Sequence, residues 1–205
     1  MTNANDVGSW MHQSVQDIDK TDLAYLTLSG KIELPMRDYL ANWCRKNFAN
    51  LTVAREWKRH DLALLGPRGP VCILEGKLWA NFNVLDERKL NSVHQSHGIR
   101  GAMEKDIAKI VDSRRQYECE GFISTLVMTV DISQVMEVES RAVKYLPYWK
   151  RELKHSQSTL ERHEMAVEKL LKFSESFGDS ARQEIFVGQA YAAEVRLAVV
   201  TIKVL

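Results

Sequence analysis

The sequence predicts an α/β protein with a central mixed β-sheet flanked by helices. Three observations carry this. Two apolar, strand-length runs, 61–65 and 71–79, flank the turn-forming GPRGP at 66–70. A helical stripe precedes them: Met36, Leu40, Trp43, Cys44 and Phe48 recur at spacings of three and four. Near the end, EVRLAVVTIKV is the strongest strand signal in the chain.

In chain order, residues 1–20 are polar and are expected to form a partly disordered arm. Residues 32–48 read as a helix, with Pro35 suited to its first turn and Tyr39 at the edge of its stripe. Residues 51–57, 61–65 and 71–79 read as three strands. Residues 86–116 read as helical, with breaks at Gly98 and Gly101. FISTLVMTVDI, 122–132, reads as a buried strand. Residues 137–176, rich in Glu, Lys, Arg and Leu, read as helical with an interruption at Pro147. Residues 184–205 give one or two strands, with a bend at Gly188. The reading is one domain over 21–205, with a core of about 31–132 and a C-terminal helical and strand extension over 133–205.

Composition narrows the function. With 28 Lys and Arg against 27 Asp and Glu, the formal charge is +1, so any nucleic-acid surface must be a local patch. Cys44, Cys72 and Cys119 are odd in number and lack a CxxC pair, which excludes a disulfide framework or zinc knuckle and suits a reducing cytoplasm. No apolar run approaches the ~20 residues of a membrane span. MTNANDVGSWMHQ has neither the basic start nor the apolar core of a signal peptide.

The chemistry lies around GPRGP. Counting outward from Arg68 pairs Leu65 with Val71, Leu64 with Cys72, Ala63 with Ile73, Leu62 with Leu74 and Asp61 with Glu75. Opposed residues have Cβ atoms ~4.5–5.5 Å apart, and Lys77, two after Glu75, points to the same face. Two carboxylates held that close repel unless a cation or a proton sits between them. Such a trio can bind Mg²⁺ (or Mn²⁺), whose charge lowers the pKa of a bound water and stabilises a phosphoryl group, with the lysine orienting or deprotonating that water.

HDLALL at 60–65 followed by CILEGK at 72–77 resembles the paired motif of the PD-(D/E)XK, restriction-endonuclease-like nucleases. The resemblance covers about 31–132. His60 stands where the motif's proline would be. It implies a core ordered helix, three strands, helix, strand, which is the order read above. It implies metal-dependent cleavage of nucleic acid, DNA rather than RNA, with Asp61, Glu75 and Lys77 catalytic and Asp61 and Glu75 on the metal. A glutamate from the first helix often joins that metal; Glu33 matches best, with Asp38 and Glu56 as rivals. The resemblance also suggests polar support from the second helix, through Lys105, Asp106 and Lys109, although these residues read more readily as a solvated helix face.

Other signals are weaker. Arg55, Lys58 and Arg59 beside Asp61, and Lys150, Arg151 and Lys154 in YLPYWKRELKH, are candidate phosphate contacts. The aromatics of that tract suit a helix core equally well. His94 and His97 read as exposed polar residues, and Trp79 as core. The rival class is a non-catalytic interaction module on the same scaffold, binding a protein partner or a second copy through its C-terminal helices.

Overall fold

The computed structural model describes residues 2–29, 32–94, 98–136, 141 and 143–204. Helices α1 (Ala4–Gln13), α2 (Lys20–Ser29) and α3 (Glu33–Asn47) come first. Strands β1 (Thr52–Trp57), β2 (His60–Gly66) and β3 (Gly69–Ala80) follow. Next are α4 (Asn81–Leu85), α5 (Glu87–Asn91), α6 (Ile99–Tyr117) and β4 (Glu120–Asp131). The chain ends with α7 (Leu146–Glu152), α8 (Thr159–Ser174), β5 (Gly178–Ala190) and β6 (Ala193–Val204). The six strands form one mixed sheet in the order β1-β2-β3-β4-β6-β5. Among the described residues only the β3–β4 pairing is parallel. That pairing needs a crossover, and α4, α5 and α6 supply it.

Both faces of the sheet are covered. Val7 and Met11 of α1, Leu23 and Leu28 of α2, and Met36 and Leu40 of α3 pack with Leu62, Leu74, Phe122, Leu126 and Leu197. On the other face, α6 and α8 contribute Ile99, Met103, Val167 and Leu170 against Val127, Ala198 and Val200. Ten of the twelve residues of β4 are buried, as a strand covered on both faces requires.

Several sequence expectations change. The polar arm over residues 1–20 is replaced by α1 and its connection to α2. Asn3 and Asp6 form a reciprocal capping box, and the apolar stripe of α1 docks on the sheet. That stripe is short and diluted by polar residues, which hid it. The break at Gly101 is absent: Gly98 caps α6, and Gly101 lies inside it. The bend at Gly188 is also absent. Gly188 pairs with Val195 within β5, and a Cβ there would lie 2.4 Å from the Lys20 carbonyl oxygen. The chain reverses at Tyr191 and Ala192, both with positive φ as a two-residue hairpin turn demands. The C-terminal segment is no appendage, because β6 pairs along β4 and carries β5 beside it. Of the helix expected over 137–176, 137–140 and 142 lie outside the described residues, and the rest divides into α7 and α8.

Candidate active site

The hairpin count holds for Leu62–Leu74, Ala63–Ile73 and Leu64–Cys72. A bulge then pairs Leu65 with Pro70 in place of Val71. Beyond Leu62 the ladder opens. Trp57 and His60 flank a tight turn whose central residues, Lys58 and Arg59, have φ of 47° and 74°, and Glu56 has φ 55°. A two-residue hairpin turn demands positive φ at both central positions, which bulky residues adopt at a cost. Next to this turn the alternation of β2 fails. Asp61 lines a cavity on the α3 side, the side on which its neighbour Leu62 also packs, and His60 reaches the α6 side.

Asp61 and Glu75 therefore do not meet as a direct pair. Asp61 Oδ2 accepts a 2.7 Å hydrogen bond from the Gly76 N–H. Glu75, 2% exposed, turns to α6. There its Oε1 lies 2.5 Å from both His60 Nδ1 and Lys109 Nζ. Lys109 also donates to the Arg59 carbonyl, tying α6 to the strained turn. His60 Nε2 lies 2.7 Å from Ser113 Oγ. This has the donor order of a serine–histidine–acid relay. Ser113, however, sits within α6, where helical bonding uses the surrounding backbone N–H groups, so they cannot form an oxyanion hole. The relay positions Glu75 and His60 instead.

Lys77 shares this face. Its Nζ lies 2.8 Å from Asp106 Oδ2, in ion-pair contact but off hydrogen-bond alignment. Burial alone pulls the ammonium down. Contact with Asp106 and the charges of Asp106, Asp61 and Glu33 more than offset this, holding Lys77 above the ordinary lysine value. It is thus an ammonium at neutral pH, suited to donating and orienting rather than to taking a proton. Thr125, its register partner on β4, is fully buried with an unpaired hydroxyl.

Glu33 and Asp61 both line a cavity of about 50 Å³ under α3, beside Gly76 and Ser124. A water needs ~10–15 Å³, so this space admits one. Mg²⁺ keeps several waters and takes one or two protein carboxylates. Glu33 and Asp61 supply two carboxylates along this hollow, the number such an ion takes from a protein. Among the described residues no group of three or more His, Cys, Asp and Glu side chains could hold a metal, so a protein-enclosed cage does not fit. Glu75, expected on the metal, is instead engaged by His60 and Lys109. Of the rivals to Glu33, Asp38 pairs with Arg37 and Arg55, and exposed Glu56 pairs with Arg37.

The expected phosphate contacts fall on separate elements. Arg55 is paired with Asp38 at 3.0 Å, and Lys58 caps Trp57 and Tyr117. Arg59 is exposed at the hairpin tip. On and just after α7, Lys150, Arg151 and Lys154 are exposed, while Trp149 is buried and Tyr148 is not. Lys105 is exposed on α6; His94 is exposed too, and His97 lies outside the described residues. Trp79 is half-buried against the second core cluster. The three thiols are buried, and burial pushes Cys44 up to about 12, so none is a nucleophile at neutral pH.

The roles of His60 and Ser113 escaped the sequence reading, and Asp106 and Lys109 were weighted as a solvated face. A signal existed: Asp106 and Ser113 interrupt the inward stripe of Ile99, Met103 and Ile110 at helical spacing. Comparison with known proteins finds no matching family model, no matching curated protein and no matching solved structure.

Proposed function

We propose that this protein is a divalent-metal-dependent nuclease, cleaving phosphodiester bonds of nucleic acid, with DNA as the first substrate to test. One observation carries the reading: Lys77 stands as an ammonium on β3, with Asp106 against it and the charges of Asp61 and Glu33 acting on it. So many ionic groups in and near a sheet core are costly for a fold and common at active sites. The order of a helix, three antiparallel strands, a helical crossover and a parallel fourth strand supports a restriction-endonuclease-like core.

In this reading Glu33 and Asp61 hold Mg²⁺ or Mn²⁺. When bound, that ion stabilises charge on the phosphoryl group and makes a bound water acidic. Lys77 orients the attacking water and adds positive charge, held in place by Asp106. Glu75, His60 and Lys109 fix β3 against α6 and so aim Lys77. A second reading, a non-catalytic interaction module, draws on one fact: Glu75 and Lys77 both find their counter-ions within the fold.

Calorimetric titration with Mn²⁺ separates the two. The nuclease reading expects one ion bound at neutral pH, progressively weaker binding in acid as carboxylates protonate, and loss of binding in Glu33→Gln. Absence of binding at neutral pH, with or without nucleic acid, supports the interaction module.

A further inference from the structure

A cleft of about 360 Å³ opens beside the acid–base cluster, and Glu33 lines both it and the smaller cavity. Its walls include Trp79, Phe82, Tyr145 and Tyr148, with Lys89 at its margin. We propose that this cleft holds one unpaired nucleobase of the substrate strand by stacking, which rests on the nuclease reading above.

Four features select this occupant. The volume sits at the small end of ligand sites, ~300–1,000 Å³, the scale of a nucleotide rather than of a helix or strand. Tyr145 and Tyr148 remain 48% and 46% exposed, although aromatic rings gain most from burial. The Tyr148 ring lies 5.5 Å from Phe82 at an interplanar angle of 13°, and Phe82 abuts the buried Trp149, so the platform is anchored in the core. Cations lie over three of these rings: Lys144 is 5.2 Å from the Tyr145 centroid, Arg151 5.6 Å from Tyr148 and Lys89 6.0 Å from Phe82. Aromatic faces bordered by cations match a base with its phosphate.

The geometry carries a consequence for substrate choice. In a duplex both faces of a base are covered by its neighbours, so only an unpaired or extruded base can enter. The cleft therefore favours single strands, ends and distorted sites. Because Glu33 belongs to both hollows, a base seated here brings its own backbone towards Asp61.

The test is binding without cleavage. The 205-residue protein in EDTA is titrated with single-stranded and duplex oligonucleotides that carry 2-aminopurine. The single strand should bind more tightly, with its fluorescence quenched. Tyr148→Ala should weaken single-strand binding by about 5- to 100-fold, while Tyr148→Phe, which keeps the ring, should bind like wild type. Thermal melts establish that both variants are folded. Equal affinity of Tyr148→Ala and wild type, or duplex binding as tight as single-strand binding, overturns the proposal. If wild type cleaves DNA while Tyr148→Ala binds normally, the base site falls and the nuclease reading stands. If Tyr148-dependent binding occurs without cleavage under any metal, the base site stands and the nuclease reading falls.

Discussion

Glu75→Ala is expected to lower the melting temperature by on the order of 10 °C. The carboxylate is 2% exposed and receives both Lys109 and His60 at 2.5 Å. Removing it leaves a lysine ammonium without its counter-ion at the β3–α6 contact. Breaking one side of a buried ion pair costs about 3–5 kcal/mol. A domain of this size loses ~2–4 °C per kcal/mol. Lys105→Ala, at an exposed position one turn earlier on the same helix, should leave the melt unchanged. A Glu75→Ala protein melting within about 2 °C of wild type would mean that this contact does not hold strand to helix.

Asp61→Asn should behave in the opposite way. Asparagine keeps a side-chain oxygen for the Gly76 N–H, so the local bond at 2.7 Å survives and the melt should move little. The charge proposed to complete an ion site with Glu33 is lost. Cleavage should fall by about 100-fold or more, the scale of removing a preorganised electrostatic group. The two variants thus divide the cluster into a part that holds the fold and a part that acts. A normal cleavage rate in Asp61→Asn would remove Asp61 from the chemistry. A large drop in its melting temperature would make the residue structural.

The sequence showed the architecture better than the details of the site. The strand pair around GPRGP and the strand starting near Phe122 were legible as apolar runs of strand length, and the helix under Met36 and Leu40 by its helical period. Helix α1 was not, since Val7 and Met11 alone make a short stripe that only the sheet completes. The placement of Asp61 and Glu75 depended on strict alternation through β2. Positive φ at Lys58 and Arg59 accompanies the failure of that alternation, and φ cannot be read from Lys and Arg, which seldom adopt it. Lys77 was legible as a charged residue of the cluster. Its partner Asp106 is 29 residues away and meets it only through the parallel crossover.

The measurement that bears most directly on the nuclease proposal is the cleavage of end-labelled DNA by the purified wild-type protein. Single-stranded, duplex and mismatched substrates are incubated with Mg²⁺ or Mn²⁺ and, in parallel, with EDTA. The account predicts cleavage in either metal, none in EDTA, and fastest turnover where a base is unpaired. Intact substrates in every metal, from protein shown to be folded and to bind the same oligonucleotides, would contradict it.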